Sequence, residues 1–173
     1  RKLLISYRIK MKKDNAYRLN VGLIIVNDSG KVLLCKRKDN HKWQFPQGGI
    51  NKDETAISAA KREMFEEVGI KFQSTIIIGE TEDWYKYEVP KTKIKSHFKK
   101  RGIVGQKQKW FMLKLKHPIN VSFENNPDDE FNDYAWVSYW HPLSKIVSFK
   151  KDVYQNVLIE LLSKYNKEFK NVG

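Results

Sequence analysis

Residues 48–70 read GGINKDETAISAAKREMFEEVGI, and the fold and chemistry of the chain are read outward from them. Ile57, Ala60, Met64 and Val68 recur at 3–4 spacing, which predicts a helix with that face toward a core. Asp53 is placed to cap its start, and Gly69 stops it, because glycine tolerates the left-handed backbone past a helix end. Glu63, Glu66 and Glu67 stand at i, i+3 and i+4, so three carboxylates share one side within a turn. At about 100° per residue, Glu63 and Glu67 share a flank with Ala56 and Ala59, small neighbours that leave room for a metal and a phosphate chain. Carboxylates this close repel unless a cation offsets them, and Mg²⁺ prefers carboxylate oxygens together with substrate phosphates. The helix therefore points to a metal-dependent enzyme acting on phosphorylated substrates.

The rest of the chain sets limits on this reading. Its 173 residues suffice for one domain with a proper core, and 40% hydrophobic residues with 13% aromatics exclude a disordered chain. A net charge of +13 favours a polyanionic partner, nucleic acid first. The charge serves only as support, because lysine greatly outnumbers arginine and a genome-wide bias also produces such an excess. Cys35 is the single cysteine, so no internal disulfide forms and a reducing, cytoplasmic setting is expected. It lies in the apolar run VLLC and reads as a buried hydrophobe. No apolar stretch reaches the roughly 18–20 residues of a membrane span. Residues 1–10 read as an extension outside the fold, with Met11 as the native start and residues 11–173 as one domain.

Along the chain, Val21–Asn27 and Lys31–Arg37 predict a β-hairpin turning at Asp28-Ser29-Gly30. His41–Ile50 reads as a loop. Thr75–Gly79, Trp84–Val89, Lys109–Lys116 and Tyr134–Ser138 read as strands, and the basic stretch Lys91–Arg101 as a loop. From Phe149, the residues Val153, Val157, Leu158, Leu161, Leu162 and Tyr165 trace one face of a C-terminal helix. This order predicts an α/β fold, a mixed sheet sandwiched between helices.

The spacing Gly48-x5-Glu54-x7-Arg62-Glu63-Met64-x-Glu66-Glu67-x-Gly69-Ile70 resembles the Nudix box at every defined position. Glycines at Gly48 and Gly49 permit close backbone approach, and Arg62 can hold Glu54 to fix the loop against the helix. The stretches Trp43–Ile50, Gly105–Phe111, Trp136–Trp140 and Val147–Tyr154 resemble one Nudix subfamily, the bacterial RNA 5′-pyrophosphohydrolases, relatives of which are also described as diadenosine polyphosphate hydrolases. The similarity spans Tyr17 to Leu162.

That resemblance implies metal ligation by Glu63, Glu66, Glu67 and Glu130 with a backbone carbonyl near Gly48, using Mg²⁺, Mn²⁺ or another divalent cation. It implies that the same four glutamates do the chemistry, with Glu63 and Glu130 the candidates for general base. Arg37, Gln106 and Lys150 match positions that touch the triphosphate or the first nucleotides. Phe149 matches an aromatic that stacks on a base, with Tyr87 near the same path. Gly49, Glu54, Arg62 and Gly69 are structural in the motif. The residues alone leave alternatives: Phe149 opens an amphipathic helix where an aromatic can be core, and Trp43 and Phe45 can brace the loop. The chain departs from the subfamily at Ile94–Arg101, Asn132 and Lys42, which bears on RNA-end preference rather than on the chemistry.

The expected activity is metal-assisted hydrolysis of a phosphoanhydride, converting single-stranded 5′-triphosphate RNA to 5′-monophosphate RNA and initiating its decay, by a monomer. The alternatives are a dinucleoside polyphosphate hydrolase (on diadenosine tetra- or pentaphosphate) and a catalytically silent RNA-binding module.

Overall fold

The computed structural model describes residues 15–169; the expectations for residues 1–10 and Met11 lie outside them. One mixed sheet is built around β1 (Tyr17–Val26), a ten-residue strand that pairs in parallel with β7 (Gly105–Leu115) along its whole length. β2 (Val32–Arg37) runs antiparallel to β1 and carries β3 (Trp43–Gln44) and β8 (Phe131–Val137). β4 (Gln47–Gly49) adds to β1, and β5 (Thr75–Glu80) and β6 (Tyr85–Glu88) add antiparallel to β7. From Val21 to Val26 β1 is covered on both faces by helices, as parallel strands commonly are, and this half of it reads as a continuous apolar run.

Successive residues of a strand point to opposite faces, and β1 serves two cores in this way. Val21, Leu23 and Ile25 join Ala59, Ala60, Met64 and Val68 of helix α1 (Ala56–Val68). Ile24 and Val26 join Val153, Val157, Leu158 and Leu161 of the C-terminal helix, which spans Lys151–Phe169. The predicted sandwich of a mixed sheet between helices is thus the observed architecture. The hairpin turn is held by the Asn27 side chain, which accepts from the N–H groups of Ser29 and Lys31, while Gly30 takes φ 80°. Cys35 is fully buried in the α1-side core, and burial pushes its thiol well above the usual range.

Four local expectations change. Thr55, not Asp53, caps α1, its hydroxyl accepting from the Ser58 N–H at 3.2 Å, whereas Asp53 sits earlier at φ 63°. The 41–50 segment is not all loop, because β3 and β4 form inside it once β1 and β2 supply partners. The 91–101 segment contains a 3-10 turn at Lys91–Lys93 and a short helix α2 (Ser96–Lys100). Ala59 is fully buried against the sheet, so its small side chain lets α1 approach the strands rather than leaving space at the glutamates. Gly69 ends α1 as expected, at φ 72° with its N–H on Phe65 O at 2.9 Å. The C-terminal helix is α3.

Candidate active site

A cleft of about 520 Å³ opens at one end of the sheet, where β1, β4, β6 and β7 meet α1 and the segment entering α3. Its walls bring together Gly48, Gly49, Glu63, Glu67 and Glu130 with Arg37. Tyr87, Gln106, Phe149 and Lys150 line the same cleft. Residues up to 113 positions apart in sequence thus converge on one site: Arg37 lies on β2, Tyr87 on β6, Gln106 on β7 and Lys150 just before α3. Glu54, Glu66, Arg62 and Gly69 do not line it.

The three helix glutamates, equivalent by spacing, sit in three different environments. Glu67 is only 5% exposed, and its carboxylate accepts from the Gln47 N–H at 2.9 Å. Burial first, then the charges of Glu130 and Glu63, push its carboxyl well above the usual range. Glu63 is raised by burial too, against the pull of its hydrogen bond from Arg62 at 2.7 Å. Its carboxyl lies against the Gly48 backbone so closely that a Cβ on Gly48 would overlap it. Glu66 faces outward, its carboxylate 3.1 Å from Arg62. Glu130 precedes β8 at a register shift between Lys36 and Arg37, its carbonyl accepting from the Lys38 N–H at 2.8 Å.

Arg62 is the cation among these acids. It donates to both Glu54 oxygens at 2.8 and 2.9 Å and to the Gly49 carbonyl at 2.8 Å, tying the β4 loop to α1. It also engages Glu63 and Glu66, so the repulsion read from the sequence is offset here by an arginine. Among the described residues no group of three or more His, Cys, Asp or Glu side chains is arranged to hold a metal ion. The donor chemistry nevertheless fits a hard divalent cation. Glu63, Glu67 and Glu130 are oxygen donors lining one cleft, and the Glu67 carboxyl has no ion-pair partner among the described residues.

The cationic and aromatic side is equally specific. Arg37 donates to both oxygens of Asp39, at 2.9 and 2.7 Å, and to Glu130 at 3.3 Å, so it enters the cleft already paired. Lys150 is buried, with Nζ on Gln44 Oε1 at 3.3 Å and 5.5 Å from the Tyr87 ring centre. Burial and the Arg37 charge lower its pKa to about 8. The Tyr87 hydroxyl donates to Gln106 Oε1 at 2.6 Å, and its ring lies 5.9 Å from that of Phe149. Phe149 is half-buried and faces the cleft while packing on the α3-side core, so both alternatives for it are in part realised. Phe45 is fully buried against Trp110 and Tyr154 and braces the loop, its N–H donating to the Tyr154 hydroxyl at 3.0 Å.

Sequence reasoning missed the polar floor. Gln108 Nε2 donates to Asn20 Oδ1 at 2.8 Å and to Gln47 Oε1 at 3.3 Å, and Gln47 Nε2 in turn reaches Gln106 Oε1 at 3.3 Å. Arg18 also lines the cleft, its guanidinium occupying the space a Cβ on Gly49 would need. Asn20 and Gln108 are register partners across β1 and β7, a pairing that no local pattern reveals.

The chain matches the NUDIX domain model over residues 16–157. It is 44% identical over 154 residues to a protein of Erwinia tasmaniensis described as RNA pyrophosphohydrolase, covering 88% of this chain and 87% of that protein. A protein of Marinomonas sp. with the same description is 45% identical over 149 residues, covering 86% of this chain and 92% of that one. Among solved structures, the E. coli dihydroneopterin triphosphate pyrophosphohydrolase matches with a TM-score of 0.64 at 25% identity, covering 83% of this chain and 97% of that one. A C. elegans Ap4A hydrolase matches in fold with a TM-score of 0.63 at 20% identity, covering 84% and 98%. The glutamate helix, the sheet that carries it and these matches together establish that the chain belongs to the NUDIX domain family.

Proposed function

We propose that this chain hydrolyses 5′-triphosphate RNA to 5′-monophosphate RNA as a cytoplasmic monomer. The observation that carries this reading is one continuous cleft. The carboxylates of Glu63, Glu67 and Glu130 lie at one part of it, Glu67 buried and the other two partly so, and the cations Arg37 and Lys150 lead to the paired rings of Tyr87 and Phe149. A phosphate chain fits the charged part, and a base fits the aromatic part. Relatives at about 44% identity, described as RNA pyrophosphohydrolases, support the same substrate.

Glu63, Glu67 and Glu130, with the Gly48 carbonyl, line the cleft where Mg²⁺ or Mn²⁺ would be held, and Glu66 would join them on turning away from Arg62. A cation held there would neutralise charge on the phosphate oxygens and would make a bound water more acidic. Glu63 or Glu130 accepts the proton of the attacking water as its oxygen bonds to phosphorus. The bridging P–O bond breaks opposite, and its electron pair leaves with pyrophosphate, or with orthophosphate in successive steps. Arg37 and Lys150 hold the departing phosphates, Gln106 and Tyr87 orient the first nucleotide, and Phe149 stacks on a base. Glu54 and Arg62 keep the Gly48–Gly49 backbone against α1, and Gly69 closes that helix.

The test compares initial rates on triphosphorylated RNA and diadenosine tetraphosphate at equal low concentration with Mg²⁺. Faster release from RNA is expected, and a large preference for the dinucleotide would reject the reading in favour of a dinucleoside polyphosphate hydrolase. Unchanged phosphate release by Glu67→Gln would point to an RNA-binding module instead.

A further inference from the structure

Between β6 and β7 the chain leaves the sheet as an arm, residues 89–104, that builds a wall of the cleft yet holds none of the reacting groups. Its base is fixed: the Val89 N–H donates to Val104 O at 2.9 Å and the Val104 N–H to Ala16 O at 2.8 Å. Ile94 and Phe98, four residues apart, turn half-buried toward the cleft. Lys91, Lys93, Lys95, Lys99, Lys100 and Arg101 are all exposed. The arm contains no acidic residue, and none of these cations has a carboxylate partner among the described residues.

Like charges packed on one or two turns weaken a helix by mutual repulsion, so a short helix of this composition gains from an anion laid along it. Aromatic groups are interleaved with the cations. The His97 and Phe98 rings lie 4.0 Å apart, and Arg18 sits 5.0 Å over Phe98. Lys93 Nζ lies 5.6 Å over the ring of Phe149, joining the arm to the proposed base-stacking position. A cationic strip carrying ring faces suits a single-stranded backbone, with phosphates on the lysines and bases on the rings. It has nothing to offer a dinucleoside polyphosphate, which has no chain beyond its second nucleoside.

We infer that the arm 91–101 is a track for the backbone of the RNA that follows the first two nucleotides, so the enzyme reads chain length as well as the 5′ end. This rests on the proposed function. The track adds affinity for a continuing RNA strand and leaves the bond cleavage to the glutamates.

The test uses the full chain with Lys91, Lys99, Lys100 and Arg101 each changed to Gln, all exposed and outside the reacting groups. The first measurement is kcat/KM on triphosphorylated di- and octanucleotides. The second is the binding of a 5′-monophosphorylated octanucleotide between 50 and 200 mM salt. Wild type should favour the octamer about tenfold, and the variant should lose that advantage while its dinucleotide rate stays within about twofold. For single strands the logarithmic salt slope is about −0.7 per phosphate contacted, so losing four cations should flatten the variant slope by about 3. Equal rates on both lengths in wild type, or an unaltered slope in the variant, would overturn the track. If the fourfold variant does not fold, the Lys99→Gln, Lys100→Gln pair should flatten the slope by about 1.4. Failure of wild type to cleave either RNA rejects the function instead, and monophosphate binding still decides the track.

Discussion

Arg62→Met is the sharpest probe of how the glutamate helix is held. Arg62 donates five hydrogen bonds: two to Glu54, one to the Gly49 carbonyl, one to Glu63 and one to Glu66. Methionine keeps the apolar stem and removes all five. The Glu66 bond contributes little, since that side chain is 33% exposed. Glu54 and Glu63 are 15% and 13% exposed, so stripping their partner costs toward the low end of the about 3–5 kcal/mol of a fully buried pair. Glu63, already raised by burial, escapes part of this cost by taking a proton, which puts the loss near ~3 kcal/mol. For a chain of this size that is roughly 6–12 °C in Tm. The hydrogen bond from Arg62 holds the Glu54 carboxyl below its usual value. Its contribution is therefore complete above the unfolded pKa of about 4.3 and is lost as pH falls through the lower folded value. Calorimetry in EDTA should show the full gap between wild type and variant at pH 7 and a smaller gap below about pH 4. A gap under about 2 °C at pH 7, or one that does not narrow in acid, would refute the reasoning.

Three further outcomes are expected. Glu67→Gln keeps an acceptor for the Gln47 N–H and removes a buried charge whose folded pKa is raised, so metal-free Tm at pH 7 should rise while phosphate release is lost; a fall in metal-free Tm would contradict the electrostatics. Gly48→Ala places a methyl on the Glu63 carboxyl and should lower kcat by at least about tenfold with the sheet intact by circular dichroism, and a rate within twofold of wild type would count against that contact. Lys150 carries its charge below a pKa of about 8, so kcat/KM on triphosphorylated RNA should fall as pH rises through that value. Lys150→Met should be slow throughout and lack this limb, and persistence of the limb would assign it to another group.

Much of the scaffold was legible locally because helix and strand periods are properties of neighbouring residues. The α1 core face, the Gly69 stop, the β1–β2 hairpin and the α3 stripe all follow from spacings of a few residues. The Asp53 cap failed because Asp53 takes φ 63°, leaving Thr55 the one whose hydroxyl meets the Ser58 N–H. The short strands β3 and β4 were invisible because Gly, Gln and Pro favour loops until β1 and β2 offer partners. The 91–101 segment hid a helix because lysines give no apolar period.

From the sequence alone, Glu63, Glu66 and Glu67 share one side of a helix, and Arg62 stands next to Glu63 and one turn before Glu66. Helical geometry alone requires this. Only the tertiary structure decided that Glu67 is buried on the Gln47 N–H while Glu66 faces outward on Arg62. It alone brought Glu130 and Lys150 to the same cleft, and it joined Gln108 to Asn20 across 88 residues. The physical reason is that burial and charge pairing depend on which strands lie beside the helix. The parallel register of β1 and β7 sets that arrangement, and no spacing within either strand encodes it.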